Sequence, residues 1–139
     1  MPELQVGRVL LVEQPNGRDM LKWALEESGF EVDLASDGES ALSIAEARAP
    51  AVVIADIILP GMDGWELAQR LRRIYGAAMR LVALTTLGDP EDRAHSAAAG
   101  FNVHLVKPMR PGKVHDTILN LLVLVALAER TSGRAPATA

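Results

Sequence analysis

The 139-residue sequence contains no cysteine, which excludes disulfides and thiolate metal sites and makes a reducing cytoplasm the simplest compartment. Its amino terminus, Met1-Pro2-Glu3-Leu4-Gln5, lacks a basic region followed by an apolar stretch and does not read as a signal peptide. Long apolar runs are missing too. The longest, Ile118 to Ala128, is broken by Asn120 and falls short of the roughly 20 residues that cross a bilayer, so no membrane association is expected. Positive charge is in deficit: 14 Lys plus Arg against 18 Asp plus Glu give a formal net charge of -4, which removes the electrostatic case for direct nucleic-acid binding. The expected partners are proteins, or small anions held at one site. What is present is an ordinary one-domain composition, 49% hydrophobic and 23% charged, long enough to bury a core without staples.

Strand and helix patterns alternate five times, which predicts an α/β fold: a doubly wound five-stranded parallel sheet with helices on both faces. The strands read as Arg8 to Val12, Glu31 to Ala35, Ala51 to Ala55, Arg80 to Leu84 and Val103 to Val106. The second alternates polar and apolar residues, as a half-exposed edge strand does. Between them, Met20, Leu21, Ala24 and Leu25, then Ala41, Leu42, Ala45 and Ala49, then Leu67, Ala68, Leu71, Ile74 and Tyr75 recur at helical spacing, with Gly29, Pro50 and Gly76 as stops. Arg70, Arg72 and Arg73 fall off the apolar stripe and read as a solvated face, while Trp65 is expected to pack. A last helix starts at Pro111 with Val114, Ile118, Leu121, Leu122 and Val125 on its core stripe. Leu119, Val123, Leu124 and Leu127 lie outside it and leave this helix apolar nearly all round.

The residues just past the buried strands carry the chemistry. They are Glu13 and Gln14 after the first, Asp56 after the third, Thr85 after the fourth and Lys107 after the fifth. In a right-handed doubly wound sheet these positions face one crevice. Aspartate can attack phosphorus, an ammonium supplies a point charge for phosphoryl oxygens, and a hydroxyl donates one hydrogen bond. Mg²⁺ favours carboxylates, carbonyls and water, so Glu13 and Asp56 across a strand gap suit it.

Val9-Leu10-Leu11-Val12-Glu13, Asp56-Ile57-Ile58-Leu59-Pro60-Gly61-Met62-Asp63-Gly64, Ala83-Leu84-Thr85 and Val106-Lys107-Pro108 together resemble the receiver domain of two-component response regulators, the CheY-like superfamily. The resemblance covers residues 6–128, and 129–139, rich in small residues and proline, reads as a disordered tail. It implies the flavodoxin-like strand order 2-1-3-4-5. It also implies that Asp56 accepts a phosphoryl group from a histidine kinase or phosphotransfer protein, that Thr85 is the switch hydroxyl and that Lys107 binds the phosphoryl group through a cis Lys107-Pro108 peptide. Mg²⁺ would be held by Glu13, residue 14, Asp56 and the Ile58 backbone carbonyl. The fourth helix, fifth strand and fifth helix would form the partner or dimer surface, here for a homodimer or a docked neighbour. Such a protein is a signalling switch and not a turnover enzyme.

Three departures from the family pattern carry expectations of their own. Gln14 stands where receivers place a second acid, which predicts weak Mg²⁺ binding and slow phosphorylation. Taken further, it favours a phosphorylation-independent pseudo-receiver that works as a protein-binding module. Thr86 replaces a small residue and is expected to narrow access to Asp56. His104 takes the place of the switch aromatic, with a smaller ring that titrates near neutral pH. Other classes fit less well. Glu13-Gln14-Pro15-Asn16-Gly17 would set acid against a flavin phosphate, and Ile58 stands where aspartyl-phosphate hydrolases carry their acid/base.

Overall fold

Aliphatic runs collapse into a parallel sheet and amphipathic helices cover it, as the alternating pattern requires. The computed structural model describes residues 3–16 and 18–131, with side chains only to Leu122 in the last helix. Chain order is β1 (Gln5–Val12), α1 (Arg18–Glu27), β2 (Glu31–Ala35), α2 (Gly38–Ala47), β3 (Pro50–Ala55), α3 (Gly64–Tyr75), a 3-10 turn (Gly76–Ala78), β4 (Arg80–Thr85), α4 (Pro90–Ala99), β5 (Val103–Val106) and α5 (Pro111–Thr131). The sheet order is β2-β1-β3-β4-β5 and every pairing is parallel. This is the doubly wound, flavodoxin-like order 2-1-3-4-5.

Period-two alternation splits the core in two. Leu10, Val12, Val53, Ala55, Leu81 and Ala83 pack with α2, α3 and α4 on one face. Val9, Leu11, Val52, Ile54, Val82 and Leu84 pack with α1 and α5 on the other. Fully burying one such aliphatic side chain contributes about 1.5–3 kcal/mol, so β3, buried at all six residues, anchors the fold. Helix starts are capped: Asp37 accepts from Ser40 N and Asp63 from Glu66 N, each at 2.8 Å.

Several element edges differ from the sequence reading. β1 begins at Gln5, because Gln5 N bonds Ala49 O at 2.8 Å before the regular ladder starts. β4 continues to Thr85, whose backbone pairs with Val106. β5 is only half-buried because it lies at the sheet edge. Helix α5 runs to Thr131, into the stretch expected as a tail, and residues 132–139 lie outside the described residues. Arg72 is not part of a solvated face. Its guanidinium donates to Gly100 O at 2.9 Å, Gly76 O at 2.8 Å, Asn102 Oδ1 at 2.7 Å and Met79 O, tying α3 to the starts of β4 and β5.

Candidate functional site

The sheet register decides which strand ends meet. Val12 pairs with Ala55, so the residues that follow them, Glu13 and Asp56, stand side by side. Their amides are fixed by Glu13 N donating to Ala35 O and Asp56 N to Val12 O, each at 3.0 Å. Lys107 N donates to Thr85 O at 2.8 Å, which places the lysine at the end of β4 as well as β5. The Lys107-Pro108 peptide is cis. Among the described residues only four polar or charged side chains are buried, and Glu13, Asp56 and Thr85 are three of them.

Lys107 Nζ closes the cluster, donating to Glu13 Oε1 and to Asp56 Oδ2 at 2.8 Å each. The other Asp56 oxygen, Oδ1, accepts from Ile58 N at 3.0 Å. Burial pushes the Glu13 carboxyl above its ordinary value, and the ammonium of Lys107 offsets this only in part. Burial acts on Asp56 in the same sense, but hydrogen bonds from Lys107 and the Ile58 amide outweigh it and hold this carboxyl below its ordinary value. Burial alone would lower Lys107, and its two carboxylate partners instead raise it. At neutral pH the site therefore presents an ionised aspartate beside a fixed ammonium, which suits attack on an electrophilic phosphorus.

Glu13, Asp56 and the Ile58 carbonyl are oxygen donors of the kind Mg²⁺ takes, and in kind they fit it. The charge count is lower than a three-acid site would give: among the described residues no group of three His, Cys, Asp or Glu side chains is placed to hold a metal. Gln14 is exposed, and its Nε2 donates to Ser36 O at 2.9 Å. The Ile58 side chain is 56% exposed and leaves only its backbone to the site.

On the Lys107 side a groove of about 600 Å³ opens between α1 and the start of α5, lined among others by Glu13, Met20, Leu84, Thr86, Lys107 and Met109. Thr86 is exposed there. His104 does not share the crevice. Its ring is turned under the β4–α4 loop, with Nδ1 2.8 Å from Ser96 Oγ and Nε2 2.6 Å from Leu87 O. Ser96 escaped the sequence reading because one serine in an alanine-rich helix carries little signal. Its only mark is that it shares a helical face with buried Ala99. On the surface proposed for dimerisation, Leu119 is 40% exposed, and none of the other large exposed hydrophobic side chains described belongs to α4 or β5. The side chains of Val123, Leu124 and Leu127 lie outside the described residues.

An aspartate at the end of the central strand, flanked by an acid, a hydroxyl and a lysine in this strand order, defines a receiver-type switch. A sequence model of the response regulator receiver domain matches residues 9–119, and the chain belongs to that family. It is 35% identical over 108 residues to an uncharacterized 14.6 kDa protein of Leptolyngbya boryana, covering 77% of this chain and 82% of that one. It is 33% identical over 119 residues to the response regulator Rre1 of Synechocystis, covering 84% of this chain. The chain spans 52% of Rre1 and 50% of a transcriptional regulator of Cyanophora paradoxa, about half the length of such curated relatives. Among solved structures, the receiver domain protein of Methanospirillum hungatei superposes with a TM-score of 0.79 at 27% identity, covering 85% of this chain and 94% of that one. The receiver domain of a histidine kinase from Syntrophus aciditrophicus gives 0.77 at 29% identity, covering 86% and 92%. Receiver domains are phosphoryl-accepting switches of two-component systems, are phosphorylated on aspartate and generally bind Mg²⁺ at an acidic pocket. Response regulators interact with histidine kinases and phosphotransfer proteins. No helix among the described residues is long and apolar enough to cross a membrane.

Proposed function

We propose that Asp56 is the phosphoacceptor of this receiver and that a histidine kinase or phosphotransfer protein is its donor. The observation that carries the reading is the single ammonium of Lys107, 2.8 Å from both Glu13 and Asp56, beside a carboxylate whose other oxygen accepts from the Ile58 amide at 3.0 Å. An Asp56 oxygen attacks phosphorus, the bond from phosphorus to the donor histidine nitrogen breaks, and that nitrogen leaves with the electron pair and takes up a proton. Lys107 follows the new negative charge, and the Thr85 hydroxyl turns to a phosphoryl oxygen. Bound Mg²⁺ supplies charge neutralisation, and Glu13, Asp56 and the Ile58 carbonyl would hold it weakly, because Gln14 adds no charge.

The receiver spans residues 6–128 in this reading. Phosphorylation changes the α4–β5–α5 surface, with His104 as the mobile ring and a second copy as its preferred partner. The net charge of -4 argues against direct nucleic-acid contact, and the site lacks an acid/base for turnover. One observation favours the second reading, a phosphorylation-independent binding module: Gln14 is uncharged, exposed and engaged with Ser36. Incubation with acetyl phosphate and Mg²⁺ followed by intact-mass measurement separates the two. A phosphoryl adduct on the wild type that is absent in Asp56→Asn supports the first reading, and no adduct at any Mg²⁺ concentration supports the second.

A further inference from the structure

Among the described residues three of the four buried polar side chains belong to the site, and the fourth, Ser96 of α4, does not. Its Oγ accepts from Trp65 Nε1 at 2.9 Å and lies 2.8 Å from His104 Nδ1. Donor and acceptor roles follow by elimination. Leu87 O can only accept, so His104 Nε2, 2.6 Å away, carries the proton. Nδ1 of the neutral ring is then an acceptor, and Ser96 donates to it while accepting from Trp65. One directional chain thus runs from Trp65 on α3 through Ser96 and His104 to the Leu87 carbonyl of the β4–α4 loop. Leu87 is held at its other backbone group too, since its amide donates to Thr85 Oγ1 at 3.4 Å. The far end is braced by His95, whose ring stacks on Trp65 with centroids 3.7 Å apart and planes 14° from parallel.

We propose that Ser96 is a positioning residue for the switch. By holding His104 it clamps the β4–α4 loop in the arrangement seen here, and the chain must open before Thr85 can reach a phosphoryl group on Asp56. Thr85 and His104 grip the same residue, Leu87, so moving the hydroxyl disturbs the loop that the imidazole holds. Removing Ser96 Oγ strips a partner from both Trp65 and His104 and raises the open population, because the clamped state alone loses those bonds. Alanine is smaller and the best helix former, so α4 itself tolerates the change. This inference rests on the reading of Asp56 as phosphoacceptor only for its consequence; the clamp itself is a property of the unmodified protein.

The test uses the full chain with Ser96→Ala, His104→Phe, the double variant and Ser96→Thr, which keeps the hydroxyl. Amide exchange of residues 86–89 in the unmodified protein reads the clamp, and affinity for beryllium fluoride with Mg²⁺, a phosphoryl analogue, reads its consequence. Each alanine or phenylalanine variant is expected to speed exchange and tighten beryllium fluoride binding on the order of fivefold to tenfold. The double variant should add nothing further, and Ser96→Thr should stay near the wild type. Unchanged exchange in Ser96→Ala, or additive effects in the double variant, would overturn the clamp. If beryllium fluoride binds no variant, the reading of Asp56 fails, and the exchange rates still decide whether Ser96 clamps the loop.

Discussion

Gly64→Ala puts a methyl group where the backbone of the Asp56-Ile57 segment already lies. A Cβ built there falls 2.3 Å from the Asp56 carbonyl oxygen and 2.7 Å from Ile57 Cα, against roughly 3.5–4.0 Å for a relaxed contact between carbon atoms. Neither atom can rotate away, and Gly64 N is bonded to Ile57 O at 2.8 Å, so the first turn of α3 or the Asp56-Ile57 segment has to move by roughly 1 Å. Overpacking of this kind costs about 1–3 kcal/mol. Restricting the unfolded chain returns about 0.4–1 kcal/mol of that. A net loss of about 1–1.5 kcal/mol is expected, or roughly 3–6 °C in melting temperature. Because the displaced atoms belong to Asp56, modification by acetyl phosphate should slow as well, by at least about tenfold, since a 1 Å misplacement of reacting groups can cost roughly a hundredfold. The matched control is Gly112→Ala in the first turn of α5, where the new Cβ meets nothing within 4 Å. It should melt at or slightly above the wild type. Urea and thermal melts of both variants, read beside intact-mass time courses, decide the matter. A Gly64→Ala protein that melts with the control and is phosphorylated at the wild-type rate refutes the packing account.

Gln14→Asp should tighten Mg²⁺ binding at least about tenfold by calorimetric titration, because a unit charge pair at roughly 4 Å and an effective dielectric near 20 is worth about 4 kcal/mol before water takes its share. Tight binding in the wild type with no gain in the variant contradicts this. Arg72→Ala should lose about 2–3 kcal/mol in urea melts, since it leaves four acceptors on three segments without their common donor. A loss below about 0.5 kcal/mol would return Arg72 to the solvated face. Asp37, held below its ordinary value of 3.8 by the Ser40 hydroxyl and amide, stabilises the start of α2 above that pH, and the contribution is lost as pH falls through the folded value. The stability gap between wild type and Asp37→Asn should therefore begin to narrow between about pH 5 and pH 4 and go on closing as pH falls below 3.8. A constant gap across that range removes the cap from the acid limb.

The strands were legible because burial on both faces leaves continuous aliphatic runs, and Glu13, Asp56, Thr85 and Lys107 were legible because each follows or ends such a run. Their mutual distances were not. Those depend on the register that sets Val12 against Ala55, a long-range pairing that no local pattern encodes. Arg72 shows a different limit. Its sequence position says only that it leaves the apolar stripe, and its carbonyl acceptors come from residues 76, 79 and 100, brought together by the turn after α3 and by the end of α4. Ser96 is the same case with the sign reversed: a polar residue on the buried face reads as a defect until Trp65 and His104 arrive from elements that precede and follow it. His104 was marked by its spacing before Lys107, whereas its two hydrogen-bond partners come from tertiary structure.

The crevice charge explains how the fold tolerates Gln14. With Glu13, Asp56 and Lys107 charged, the three groups sum to -1, and a second acid at position 14 would make that -2. Lys107 Nζ, 2.8 Å from each carboxylate, already balances half of the buried negative charge, so the unmodified site has less need of a cation than a three-acid site has. Phosphorylation reverses the situation. An aspartyl phosphate would carry about 1.5–2 negative charges where the carboxylate carried one, a net gain of about 0.5–1, and with Lys107 drawn to it Glu13 would lose its hydrogen-bonded ammonium. Glu13 is the acid whose carboxyl burial has already pushed upward, so a bare carboxylate there is costly. Replacing a second acid with glutamine thus shifts the charge problem from the resting protein to the phosphorylated one. Slow phosphoryl acceptance is the outcome this arrangement predicts, and an acetyl phosphate time course that runs no faster in Gln14→Asp than in the wild type contradicts it.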